Sequence, residues 1–188
     1  MSQVSLAFLG LGLIFCLTAS FFLERLGRRN TMLYGSAVHI CLMVLIGCLH
    51  YVKSRTGQIT NAVLFNLAIS TATFATTAPC FAMSIEISSV RLRSKTQSIG
   101  FGFYYIFGWI FLFTVPYMFQ PAPAGAGWGT RSTWFFAGTT AVFAVFVYFF
   151  AGETKGRSYT DIDELYARGI SPRRWKETEA FGERNATT

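Results

Sequence analysis

Five stretches of this 188-residue chain, at approximately 4–23, 31–52, 62–85, 97–119 and 132–150, contain no Asp, Glu, Lys or Arg. Each is close to the roughly 20 apolar residues that a helix needs to cross a bilayer. One helix buried in a water-soluble protein can be apolar all round, but five such runs in succession have no water-facing partner among them. With 52% hydrophobic and 17% aromatic residues against 13% charged, the whole chain asks for a solvent other than water. The sequence therefore predicts an all-α integral membrane protein, with a bundle of five transmembrane helices over 1–151 and a tail over 152–188.

Charge placement excludes one class and sets an orientation. The formal charge of +7 comes from basic residues that fall between and after the apolar runs, never in one basic stripe, so nucleic acid is not a partner. Arg25, Arg28 and Arg29 follow the first run, Arg91, Arg93 and Lys95 follow the third, and seven more lie in the tail. The opposite side holds only Lys53, Arg55 and Arg131. By the positive-inside rule the tail is cytoplasmic, and five spans then put the N-terminus outside. The first run has no basic residues before it and ends in "ERLGRR", a stop-transfer flank, so it reads as a retained span and not a signal peptide.

Within the spans the chemistry is sparse. Cys16, Cys41, Cys48 and Cys80 all sit inside predicted spans and read as small packing residues. His39 and His50 are eleven residues apart, about 16 Å along one helix, too far to share a metal. His39 reads as a hydrogen-bonded packing residue, with a proton path as the alternative. Neither a metal centre, nor a nucleophile with its base, nor a paired-carboxylate site is present, which argues against an enzyme and implies no cofactor.

The third run carries more pattern. Asn66, Ser70, Thr73 and Thr77 step by four, three and four, and Phe81 extends the same face. Such a stripe cannot face lipid. It either bonds to neighbouring helices or lines an aqueous cavity where hydroxyls and an aromatic face meet a polyhydroxylated ring. Pro79 removes an amide donor and weakens the helix just beyond the stripe. The fourth run adds Gly100, Gly102 and Gly108 beside Tyr104, Tyr105 and Trp109. In the tail, Thr160 with Asp163 resembles a capping pair for a short helix at about 160–168, with a disordered end beyond.

Four motifs now stand at span boundaries in a recognisable order: "ERLGRR", "EISSVRLRSKT", "GWGTRSTWFFAG" and "GETKGRSYTDIDELYARGISPRRW". Together they resemble the C-terminal half of a sugar porter of the major facilitator superfamily, nearest to the fungal general alpha-glucoside or maltose permeases. The resemblance covers essentially the whole chain. It implies spans eight to twelve of a twelve-span fold, without the first seven, and so without the acidic residue linked to proton coupling and the sugar contacts of span seven. A fragment or truncated form that does not transport alone is the expectation. A non-transporting interaction or sensor-like protein derived from a sugar porter, pairing with a full-length permease, is the alternative.

The resemblance also assigns residues. Glu24, Arg28, Arg29, Glu86, Arg93, Glu153 and Arg157 match the charged positions that form a cytoplasmic ion-pair network in this family, closing the inner end of the outward-facing state. Asn66, Ser70, Thr73, Thr77, Phe81, Tyr104 and Tyr105 are the cavity candidates, for an alpha-glucoside or hexose, with protons as the co-substrate and the plasma membrane as the location. Gly12 stands where many members have a sugar-binding Asn. Gly152 replaces the proline usual before Glu153, which predicts a looser exit from the last span.

Overall fold

The structure, a computed structural model, describes residues 26–50, 55–88, 92–121 and 123–177. The first predicted span, with Gly12 and Cys16, lies outside the described residues, as does Glu24. Helix α1 (Arg28–Leu49) has 22 residues, roughly 33 Å at helical rise. Its buried face is Met32, Ser36, His39, Met43 and Ile46, a repeat of four and three that makes one continuous seam. Cys41 and Cys48 fall on the opposite side of that seam, free and exposed, so they do not pack inside the unit as expected.

The third run is not a single α-helix. Helix α2 (Arg55–Ala72) leads into a π-helical turn (Thr73–Thr77) and then helix α3 (Ala78–Ile87). The cause is in the sequence: Pro79 offers no amide hydrogen, and the chain widens by one residue, the Ala78 amide bonding to the Thr73 carbonyl. Helices α4 (Arg93–Phe119) and α5 (Ser132–Phe150) follow, the latter preceded by a 3-10 turn (Gly129–Arg131). Among the described residues, three helices are long and apolar enough to cross a membrane: Arg28–Leu49, Arg93–Phe119 and Gly129–Phe150. Of the five expected spans, those at 31–52, 97–119 and 132–150 are among these, the run at 62–85 is divided by the π turn, and the run at 4–23 lies outside the described residues.

Packing is centred on α1. At one level Met43 and Ile46 meet Ala68 of α2 and Ala137 of α5, and at the other Met32 meets Met83 of α3 and Val147 of α5. Three buried hydroxyls bond three or four residues back along the chain: Thr31 donates to the Gly27 carbonyl, Thr71 to Leu67 and Thr133 to Thr130. Helix α4 stands apart. Only Met118 is buried on it, and rings link it to its neighbours at Phe81–Phe101, Phe65–Phe119 and Phe111–Phe136.

After α5 the chain turns back under the bundle. Helix α6 (Tyr159–Ala167) is capped by Ser158, whose hydroxyl accepts from the Asp161 amide while Asp161 accepts from the Ser158 amide. The expected pair, Thr160 and Asp163, is two residues too late. Two Ser/Thr-x-x-Asp patterns overlap here, and the earlier one wins because Ser158 has the extended backbone a cap needs, with Thr160 already inside the first turn. A 3-10 turn (Pro172–Glu177) follows, and the rest of the end expected to be disordered, 178–188, lies outside the described residues. Ile162, Leu165 and Trp175 bury one another. Burial beside the Trp175 ring, centroids 4.9 Å apart, pushes the Tyr166 phenol above its usual range.

Candidate functional site

Two regions bring functional side chains together, and the first is the charged end of the bundle. Arg28 donates from Nε and Nη2 to Glu86 Oε1 at 3.1 and 2.8 Å, joining the start of α1 to the end of α3. The Thr154 hydroxyl donates to Glu86 Oε2, so one carboxylate also holds the segment that follows α5. The Arg28 and Glu86 side chains are 25% and 20% exposed. At that burial, hydrogen bonds to charged groups are worth about 1.5–3 kcal/mol, above the median of an exposed surface pair.

Glu153 acts differently from a simple ion-pair partner. Its Oε1 accepts the backbone amides of Arg28 at 3.1 Å and Lys155 at 3.2 Å. The carboxylate therefore sits at the N-terminus of α1, where unpaired amides and the helix dipole favour an anion. Gly27 makes room for it: a Cβ there would lie 2.6 Å from Glu153 Oε2, and the glycine has φ 85°. Glu153 Oε2 is buried without a hydrogen-bond partner among the described residues.

The remaining charges are distributed less symmetrically than the motifs imply. Arg29 donates to the Tyr148 carbonyl at 3.0 Å and lies over its ring. Arg93 is not joined to Glu86; its guanidinium stacks 4.3 Å above the Tyr159 ring, with Nε and Nη2 buried and unbonded among the described residues. Arg157 donates to the Trp175 carbonyl. Thr154, Tyr159 and Trp175 are contributors that sequence reasoning missed. A tryptophan in a polar tail was the one available signal for the last.

The second region is a pair of adjoining cavities, one of about 390 Å³ between the π turn, α3, α4 and α5 and one of about 340 Å³ between α1, the end of α2 with the π turn, α4 and α5. They share Thr76, Thr77 and Phe143. Thr77, Phe81 and Tyr104 line the larger one. Phe81 stacks on Phe101 at 5.2 Å and meets Tyr104 edge-on at 5.7 Å. Asn66, Ser70, Thr73 and Tyr105 line neither cavity. The π turn explains the split: the extra residue rotates everything beyond Thr73, so the upper and lower parts of the stripe no longer share a face.

Polar groups in the larger cavity are partly engaged. Gln97 donates to Ser84 at 3.0 Å, and Ser84 donates to the Phe81 carbonyl at 2.8 Å. His39 lines the smaller cavity with its Nδ1 3.0 Å from the Ala68 carbonyl, the hydrogen-bonded packing role favoured from sequence. Among the described residues no three His, Cys, Asp or Glu side chains gather in a way that could hold a metal ion. The walls offer ring faces and a few hydroxyls, with no charged side chain among the lining residues.

Comparison with known proteins gives a consistent set of matches. The family model described as "Sugar (and other) transporter" matches residues 2–166. The MFS transporter fmqE of Aspergillus fumigatus is 35% identical over 170 residues, 90% of this chain and 32% of that protein. A general alpha-glucoside permease of Saccharomyces cerevisiae is 27% identical over 167 residues, covering 84% of this chain and 26% of the permease. Membrane transporter D1 of Leishmania donovani is 30% identical over 187 residues, 95% of this chain and 32% of that protein. The chain thus spans about a third of the length of the curated relatives it matches. No solved structure matches it at a significant level.

Proposed function

The chain belongs to the sugar (and other) transporter family, and from that membership we propose that it supplies the C-terminal helices of a sugar transporter of the alpha-glucoside or maltose type. The transporter works by alternating access in the plasma membrane, with proton symport. The charged end faces the cytoplasm and serves as the inner gate. The observation that supports this reading most is the single carboxylate of Glu86, bonded at once to Arg28 and Thr154. An arrangement that ties three chain segments through one charge can be made and broken as a unit, which a gate requires and a topology anchor does not.

The cavity beside Phe81, Tyr104 and Thr77 is then one wall of the solute path, with the rest of the path supplied by the transporter's other half. The π turn beside Pro79 gives that wall a point at which it can bend.

Radiolabelled maltose uptake in transporter-deficient yeast tests the proposal. The 188-residue polypeptide alone should give no saturable uptake, and co-expression with the first seven spans of a general alpha-glucoside permease should give uptake that an uncoupler abolishes. Uncoupler-sensitive uptake by the polypeptide alone would refute its incompleteness. If the completed pair assembles in the membrane yet moves neither maltose nor glucose, the sugar assignment is wrong, and the interaction-protein reading takes its place.

A further inference from the structure

We propose that Trp175 is the positioning residue of the charged end: its ring, seated against Gly152, fixes the segment through which Glu153 and Thr154 reach α1 and Glu86. This deepens the reading of that end as a gate and rests on it. Trp175 is 0% exposed although it lies in the polar tail, and its indole N–H, its carbonyl and its ring are all engaged. Its indole N–H donates to the Ile170 carbonyl at 3.0 Å, its carbonyl accepts from Arg157, and its ring meets Tyr166, Ile162 and Leu165.

The remaining face of the ring lies against the bare Cα of Gly152, where any Cβ would overlap Trp175. The looser exit expected from a glycine in place of proline is therefore not what is found. Gly152 is buried, and its missing side chain is the socket for the indole.

The consequence concerns the next two residues. Residues 151–154 have no helix or strand to hold them, and glycine is the residue with most backbone freedom to lose. Glu153 and Thr154 nonetheless have to arrive at fixed places, the amide of Arg28 and the carboxylate of Glu86. The ring restrains the one residue that would otherwise let this segment wander. A second contact supports the same surface: Tyr159, at the start of α6, lies beneath Arg93 at the start of α4. The tail is thus a strap under the charged end, and Trp175 is where it is fastened.

Amide hydrogen exchange on the 188-residue chain in lipid nanodiscs tests this. Trp175→Ala should speed exchange at least tenfold both in residues 153–157 and in residues 28–31, while the centre of α1 around Met43 stays protected. Gly152→Ala should act in the same direction, and Gly152→Ala combined with Trp175→Ala should be no worse than Trp175→Ala alone, because the ring that the methyl strikes has gone. Trp175→Phe should fall between. If loss of the ring loosens only residues 153–170 and leaves 28–31 unchanged, Trp175 merely closes the tail and the proposal is overturned. Should Trp175→Ala also expose the centre of α1, Trp175→Phe and Gly152→Ala give the answer on a folded chain. Glu86→Gln in the same experiment separates the two readings: unchanged exchange at 153–157 would sink the gate, whereas acceleration there with no effect of the Trp175 variants would sink the positioning role alone.

Discussion

Glu86→Gln is expected to lower maltose uptake by the completed transporter at least tenfold, with surface expression unchanged. Glutamine keeps the shape of the side chain but removes the charge, so Arg28 is left as a partly buried cation without a counter-ion. The hydrogen bonds it loses or weakens, from Arg28 and Thr154, are of the charged kind, worth about 1.5–3 kcal/mol. A change of about 1.4 kcal/mol already shifts a two-state equilibrium tenfold, enough to drain the state that this carboxylate holds closed. Insertion should not suffer, because the apolar runs and the flanking basic residues that direct it are untouched. Initial rates at saturating and sub-saturating maltose, normalised to surface protein, are the measurement. Unchanged kinetics would make Glu86 a surface residue and remove it from the gate.

The second large effect is expected at Gly27. Gly27→Val should destabilise the chain by about 2–4 kcal/mol, the sum of two costs that meet at one residue. At φ 85° a β-branched side chain is strained whatever surrounds it. Its Cβ would also fall within 2.8 Å of all three atoms of the Glu153 carboxylate group, forcing that carboxylate off the amide of Arg28. The two costs can be separated. In a Glu153→Ala background the steric part disappears and the backbone part remains, so the penalty of Gly27→Val should fall by roughly half, as coupled neighbours require. Thermal unfolding in a mild detergent measures both. A penalty that is the same with and without Glu153 would show that the carboxylate does not occupy the helix start.

How far the sequence could be read follows from what each element depends on. The apolar runs at 31–52, 97–119 and 132–150 were legible because bilayer thickness constrains length and composition directly, and α1, α4 and α5 are long and apolar enough to cross. The run at 62–85 was legible as apolar but not as one regular helix. Pro79 gave the place of the irregularity, and the form it took, a widened turn before the proline, is one of several that a missing amide hydrogen allows. That turn is also why Thr77 and Phe81 reach the cavity and Asn66 and Ser70 do not.

Of the motif charges, Arg28, Glu86 and Glu153 come together at one end of the bundle, but the motifs did not give their partners. Arg28 and Glu86 are 58 residues apart, and no spacing rule selects that pair over Glu86 with Arg93. Glu153 was read as a member of an ion-pair network, whereas its bonds are to backbone amides, a role that becomes visible only when the start of α1 is placed beside it. The strap was the least legible part, because its fastening depends on a tryptophan meeting a glycine across 23 residues of polar chain, and neither residue announces the other.

Arg28 and Glu86 are proposed to close the charged end by meeting each other. Exchanging them tests this claim most directly. The backbone amide of Arg28, which serves Glu153, survives any substitution at that position, and the Thr154 hydroxyl can accept from an arginine as readily as it donates to a carboxylate. Arg28→Glu and Glu86→Arg should each cut maltose uptake by the completed transporter more than tenfold, since each sets two like charges side by side. Together they should recover several-fold over either alone. A double variant no more active than the product of the two single losses would contradict the claim, and the charged end would then be held by something other than this pair.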